Sequence, residues 1–132
     1  IVSGCTFVAR AYAGDIDGLS KMLVRAIRHP GLALVDVIQP CITWGSHPVD
    51  WYRERIVPLP QDHDPTHRDR AIAAALDVAD VFPVGVLYET APRPTFAESY
   101  RARVGAGPLA RLPRIARGEV EARLAAFIVN RD

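Results

Sequence analysis

Cysteine is scarce: the 132 residues contain two, Cys5 and Cys41. So sparse a pair cannot supply the disulfide framework that staples small secreted domains. It fits reduced thiols in a cytoplasmic protein, one of them a ligand whose companions lie outside this stretch. Net charge is nearly absent as well, with 16 basic residues against 15 acidic ones. That balance gives no general case for a nucleic acid or a membrane as partner. No apolar run reaches the roughly 18 residues of a membrane span. The amino terminus lacks the basic stretch and apolar core of a secretory signal. Internal repeats, a serine-centred nucleophile elbow and a phosphate loop are also missing. An initiator methionine is lacking too, since the chain begins Ile1-Val2-Ser3-Gly4-Cys5. The expectation is therefore a piece of a longer, processed or truncated polypeptide.

What is present is ordinary globular material. Hydrophobic residues make up 49% of the chain and charged residues 23%, enough for one domain with a real core. Thr6 to Tyr12 (TFVARAY) reads as a strand ended by Ala13-Gly14. Asp15 is placed to cap a helix. Ile16, Leu19, Leu23 and Ala26–Ile27 follow at helical spacing, so one apolar stripe is expected to face the core. His29-Pro30-Gly31 stops that helix. Leu32 to Ile38, interrupted only by Asp36, is a nearly continuous apolar strand of the kind buried on both faces in parallel sheets. Strand, helix and strand make one right-handed βαβ unit. Gln39-Pro40-Cys41 leaves its carboxyl end, which is where open parallel sheets place their ligands.

Pro48 to Ile56 (PVDWYRERI) predicts a short helix, and Pro58, Pro60 and Pro65 mark a loop. Asp64 is expected to cap the next helix with Pro65 at its first position, and Ile72, Leu76 and Ala79 to give its buried side. Val84 to Tyr88 is a third strand, and Ala91-Pro92-Arg93-Pro94 a stiff connector. Thr95 can cap a short helix running to about Arg103. Gly105 to Arg114 is rich in Gly, Pro and Arg and reads as a linker or arm. Arg117 to Val129 is helical in pattern through Val120, Leu124, Phe127 and Ile128. This last helix packs either on a neighbouring subunit or back on its own domain.

Several stretches, in order, resemble one family. They are Gly4-Cys5-Thr6-Phe7-Val8-Ala9-Arg10, then Leu34-Val35-Asp36-Val37-Ile38-Gln39-Pro40-Cys41-Ile42-Thr43, then Asp50-Trp51-Tyr52 ahead of His63-Asp64-Pro65-Thr66. Pro83-Val84-Gly85-Val86-Leu87-Tyr88 and Arg93-Pro94-Thr95 echo it further. Together they are similar to the carboxyl-terminal region of the beta subunit of 2-oxoacid:ferredoxin oxidoreductases, from Gly4 to about Tyr100. Beyond Gly105 the likeness fades. The resemblance implies oxidative decarboxylation of a 2-oxoacid on thiamine diphosphate with Mg2+, one-electron transfer through iron–sulfur clusters to ferredoxin, and release of the acyl group on coenzyme A. It also implies a 4Fe–4S cluster whose fourth cysteine follows the strand in a Gln/Ser-Pro-Cys-x-Thr setting, here Cys41, the other three lying near the start of the subunit. The alternative for Cys41 is a small buried core residue. Cys5 stands where relatives commonly carry alanine or another small residue and reads as core, and a Cys5–Cys41 disulfide is left open for an oxidised fragment. The family's Gly-Asp-Gly motif with its downstream Asn is absent, and Asp15, although it follows Gly14, takes no cofactor role.

The remaining candidates have plainer readings. His63 and His67 are four apart, but Pro65 starts a helix between them, so capping by Asp64 is preferred to metal binding. His29 and His47 sit beside prolines and read as surface residues. Trp44, Trp51 and Tyr52 are expected to pack around the loop of Cys41 rather than to contact substrate. Arg101, Arg103, Arg111, Arg114, Arg117 and Arg123 form a basic tail. Glu98, Glu119 and Glu121 interrupt it, so a solvated face or an interface with an acidic partner subunit is preferred to nucleic-acid binding.

The expectation is an α/β fold: part of a thiamine-diphosphate-binding three-layer sandwich with a mostly parallel sheet, plus a carboxyl-terminal helical extension. Residues 1–47 would hold the βαβ unit and cluster loop, 48–104 the carboxyl-terminal region of the beta subunit, and 105–132 the arm and terminal helix. The function implied is that of an enzyme-subunit fragment, inactive alone, working with an alpha subunit, ferredoxin, a 2-oxoacid and coenzyme A, and with neither nucleic acid nor membrane. The alternative is a non-catalytic assembly module with the same fold.

Overall fold

The computed structural model describes residues 1–105 and 116–129, with side chains up to residue 125. Arg111 and Arg114 of the expected basic tail therefore lie outside the described residues. Two compact units are distinguished, Ile1–Phe96 and Ala97–Asp132.

In the first unit the chain runs β1 (Phe7–Tyr12), α1 (Ile16–Arg28), β2 (Ala33–Ile38), α2 (Val49–Arg53), β3 (Ile56–Pro58), α3 (Arg68–Leu76) and β4 (Phe82–Glu89). Among the described residues the strands form one sheet in the order β2-β1-β4-β3. β1 pairs with β2 in parallel, and β3 with β4 in parallel, whereas β1 and β4 run antiparallel. The expected α/β fold with a mostly parallel sheet is present, with one antiparallel junction in its middle. Phe7 rings with His29 and lies under the Arg25 guanidinium, on the α1 side. Arg10 reaches the Ala75 carbonyl of α3. Since successive side chains of a strand point to opposite faces, α1 and α3 cover opposite faces of β1 and make three layers.

Position in the sheet overrides composition. All six residues of β1 are buried, because it is central and covered twice. β2, expected to be buried on both faces, is an edge strand here: Leu34 is 51% exposed and Val37 38%. The apolar stripe of α1 was likewise expected to face the core, yet Ile16, Leu23 and Ile27 are exposed and no residue of α1 is fully buried. Its cap is as expected, with the Asp15 carboxylate accepting the Gly18 N–H at 3.0 Å. Gly31 closes the α1–β2 turn at φ +133°, where a Cβ would stand 2.4 Å from Thr6 Oγ1. Both the backbone angle and the space therefore require glycine.

Three local expectations change. The helix of Pro48–Ile56 is shorter, because Ile56–Pro58 joins the sheet as β3 beside β4. Pro58 fits there because β3 is an edge strand and its missing N–H breaks no ladder bond. Helix α3 starts at Arg68, not Pro65, and is capped by His67, whose Nδ1 accepts the Arg70 N–H at 3.4 Å. Asp64 instead closes the turn before it, accepting from the Thr66 backbone N–H at 2.9 Å and its hydroxyl at 2.7 Å. His29, expected at the surface, is a buried side chain with Nε2 2.8 Å from Thr6 Oγ1.

Among the described residues the second unit holds two helices, α4 (Phe96–Val104), which begins at the boundary, and α5 (Arg117–Val129). On α5, Arg117 pairs with Glu121 at 2.9 Å and Arg123 with Glu119 at 2.6 Å. These i,i+4 pairs are the solvated-face arrangement. Val120 and Leu124 are exposed.

Candidate functional site

β2 delivers Gln39-Pro40-Cys41 beyond the carboxyl end of its parallel pairing with β1. There the chain turns back on itself. The Gly45 N–H donates to the Cys41 carbonyl at 2.9 Å, and the Trp44 N–H donates to Cys41 Sγ at 3.3 Å. The thiol is exposed and free, which a core cysteine is not. Its pKa lies below the ordinary thiol value, chiefly because the Trp44 backbone N–H stabilises the thiolate. The Thr43 amide adds to this, burial opposes it, and the Gly45 amide adds a lesser share. A sulfur held among backbone N–H groups, open on one side, is disposed to act as a thiolate: a metal ligand or a nucleophile.

An open cavity of about 420 Å³ adjoins it, lined by Cys41, Ile42, Gly45, Ser46, His47 and Pro48. Its far wall is braced by rings. His47 stacks on Trp51 with centroids 3.9 Å apart, Trp51 meets Tyr52 edge-on, and both reach Phe82 of β4. The Arg55 guanidinium lies 4.1 Å over Trp51, a cation–π contact. His47, Trp51 and Arg55 are thus a stack with four-residue spacing, a signal present in the sequence but not read from it. Trp44 separates from the other aromatics and stands 89% exposed with Ile42 at the loop tip.

The other candidates are apart from this loop. Cys5 is buried at the opposite end of the same strand pair, its thiol donating to the Leu32 carbonyl at 3.0 Å. A six-residue strand of roughly 20 Å separates the two cysteines, so no disulfide can join them in this fold. His63 Nε2 donates to the Leu87 carbonyl at 2.9 Å and ties a loop to β4, while His67 caps α3. Among the described residues, no group of three or more His, Cys, Asp and Glu side chains could hold a metal ion. Cys41 thus fits one position of a thiolate-held cluster and cannot complete one. The Asp15 carboxylate accepts the Gly18 N–H as the cap of α1. No helix among the described residues is long and apolar enough to cross a membrane.

A residue unread in the sequence is Arg10. It is 8% exposed, in the centre of the sheet, with Nε donating to Asp36 at 2.8 Å and Nη2 to the Ala75 carbonyl at 2.9 Å. Arg10 and Asp36 are register partners of β1 and β2. The signal was one charge of each sign inside two adjacent apolar strands.

Residues 41–103 match the family of the C-terminal part of the pyruvate ferredoxin oxidoreductase beta subunit. A 2-oxoacid:ferredoxin oxidoreductase subunit beta from a Sulfolobus species is 39% identical over 114 residues, covering 77% of this chain and 37% of that protein. Subunit beta of 2-oxoacid:ferredoxin oxidoreductase 2 from Aeropyrum pernix is 35% identical over 133 residues, covering 92% and 43%. A 2-oxoglutarate:ferredoxin oxidoreductase structure from Magnetococcus marinus, with 2-oxoglutarate, coenzyme A and succinyl-CoA bound, superposes with a TM-score of 0.68 at 28% identity, over 96% of this chain and 41% of that one. The chain thus spans less than half the length of these relatives.

Proposed function

Because this chain belongs to the 2-oxoacid:ferredoxin oxidoreductase beta-subunit family and matches its carboxyl-terminal part, we propose that it serves as that part of an electron-transferring enzyme subunit. The complete enzyme would convert a 2-oxoacid and coenzyme A to an acyl-CoA and carbon dioxide. Two electrons would leave singly to ferredoxin, and an alpha subunit would complete the assembly. Cytoplasmic location belongs to the same reading.

The observation that carries it is the Cys41 loop. Its thiol is exposed, stabilised as a thiolate by backbone N–H groups, and placed beyond the carboxyl end of a parallel strand. In this reading Cys41 supplies one of four thiolates to a 4Fe–4S cluster, the other three coming from elsewhere in the beta subunit. When bound, such a cluster accepts and passes one electron at a time. The contribution of this chain is to hold the sulfur in place, donate N–H groups to it, and brace the loop against the His47–Trp51 stack. Thiamine diphosphate and its Mg2+ would be held by residues outside this chain.

The test is low-temperature EPR of the dithionite-reduced complete beta subunit, wild type beside Cys41→Ser. Loss or marked change of a 4Fe–4S signal in the variant supports the reading. An unchanged signal assigns the fourth ligand elsewhere. Iron absent from both proteins overturns the electron-transfer role and leaves the assembly-module alternative.

A further inference from the structure

Three of the four histidines spend a ring nitrogen on the fold. His29 bonds the Thr6 hydroxyl, His63 donates to the Leu87 carbonyl, and His67 caps α3. His47 does not: neither of its ring nitrogens has a hydrogen-bond partner among the described residues. It is held by aromatic contacts instead, stacked on Trp51 with planes 14° apart and edge-on to Tyr52 at 6.2 Å. Trp51 is itself fixed, with the Arg55 guanidinium over it and Phe82 of β4 tilted against it at 6.0 Å. Stacking sets the plane of an imidazole and leaves its edge, which carries the nitrogens, unspent.

His47 also borders the Cys41 cavity. The polar side chains lining that cavity are Cys41, Ser46 and His47, with no carboxylate or amine among them. The Cys41 sulfur receives one N–H already, from the Trp44 backbone. Beside it stands an imidazole that always carries at least one N–H and whose plane is set in advance. A cluster on Cys41 would bring sulfur acceptors to this cavity, and hydrogen bonds to cluster sulfurs are one of the levers by which a protein sets the potential.

We propose that His47 donates a ring N–H to a sulfur of the cluster that Cys41 holds, and that this bond raises the reduction potential of the cluster. The sign follows from charge. Reduction adds an electron whose density reaches the sulfurs, so the reduced cluster accepts the bond more strongly than the oxidised one. Trp51 and Arg55 act through His47, as positioning residues that keep its plane. The inference rests on the reading of Cys41 as a cluster ligand.

The experiment is an EPR-monitored redox titration of the complete beta subunit at a single pH, wild type beside His47→Phe and His47→Gln. His47→Phe keeps a flat ring for the stack and loses the donor; His47→Gln keeps an N–H and loses the ring. The midpoint potential of His47→Phe is expected to fall by about 59 mV, a tenfold change in a one-electron equilibrium, and that of His47→Gln by clearly less. An unshifted potential in His47→Phe overturns the inference and leaves His47 a brace for the loop. So does a fall in His47→Gln as large as that in His47→Phe, which would assign the effect to the ring and not to its N–H. Should neither variant take up a cluster, the wild-type subunit labelled with nitrogen-15 histidine decides. Pulsed EPR should then show a weak nitrogen coupling to the reduced cluster, and its absence overturns the inference. An unchanged EPR signal in Cys41→Ser would remove the cluster reading itself. A signal lost there, with an unshifted potential in His47→Phe, would remove the role of His47 alone.

Discussion

The Gly45 backbone N–H lies 2.9 Å from the Cys41 carbonyl oxygen, and a methyl group on Gly45 would stand 2.3 Å from that same atom. The turn that presents the sulfur therefore closes only over a hydrogen atom. Gly45→Ala must open the turn, since the atom it meets is backbone. It is expected to move the Trp44 N–H away from Sγ while leaving the sheet, which the loop does not support, unchanged in thermal stability to within about 0.5 kcal/mol. In the variant, iodoacetamide labelling of Cys41 should need a higher pH than in wild type. Equal pH profiles would show that the turn does not set the thiol.

The two thiols should separate cleanly in reactivity. Cys41 is exposed with its pKa lowered, chiefly by the Trp44 N–H. Its thiolate is thus present at lower pH than that of an ordinary cysteine, and labelling rises earlier as pH increases. Cys5 is 6% exposed and should label only at the rate of unfolding. Mass spectrometry of the native chain under iodoacetamide is expected to give a single adduct, on Cys41; a prompt second adduct would contradict the burial of Cys5.

Asp64 gives a pH dependence of definite sign. Its carboxyl is held below the usual carboxylate range, first by the Thr66 hydroxyl and then by the Thr66 N–H. The folded state therefore takes up a proton less readily than the unfolded one. Stability from this group is present in full above the ordinary carboxylate value of about 4 and is lost as pH falls through the lower folded pKa. Asp64→Asn should be less stable than wild type at pH 7 by urea unfolding, with the gap closing in strong acid. A gap that is the same at pH 7 and near pH 2 would assign it to something other than charge.

How much of this was legible beforehand depended on whether the cause was local. The Asp15 cap, the β1 and α5 spans and the position of Cys41 beyond a strand end follow from residues within one turn or one strand, and they stand as read. The start of α3 was misplaced because Asp64-Pro65 is an equally good turn opener, and the choice fell to His67, whose ring nitrogen reaches Arg70. β3 was missed because a three-residue strand with a proline has almost no signal of its own. It exists because β4 offers it a ladder. The burial of β2 was misjudged since composition reports what a strand suits, not which neighbours are present. Arg10 was passed over because its partners, Asp36 and Ala75, are 26 and 65 residues away.

The Arg10–Asp36 pair makes a prediction about that long-range link. Removing Asp36 leaves a guanidinium that is 8% exposed without its counter-ion, although Asp36 itself is half open to water. Asp36→Ala is expected to cost about 2 kcal/mol, less than the full penalty of breaking a deeply buried pair. The double variant Arg10→Met with Asp36→Leu should recover much of that loss, because it removes the buried charge as well. Guanidinium unfolding of the two proteins decides. A double variant worse than the single one would mean that the Nη2 bond to Ala75 matters more than the charge.

Leucine at the centre and leucine at the edge test whether burial in the sheet is set by position. Leu87 in β4 is 1% exposed and packs on Val8 and Cys5, so Leu87→Ala leaves a cavity that the central strands cannot close and should cost about 2–5 kcal/mol. Leu34 in β2 is 51% exposed. Its truncation removes little that is not already wet, and Leu34→Ala should cost under about 1 kcal/mol in the 132-residue chain. A cost for Leu34→Ala as large as that for Leu87→Ala would mean that position in the sheet does not set how much each leucine contributes.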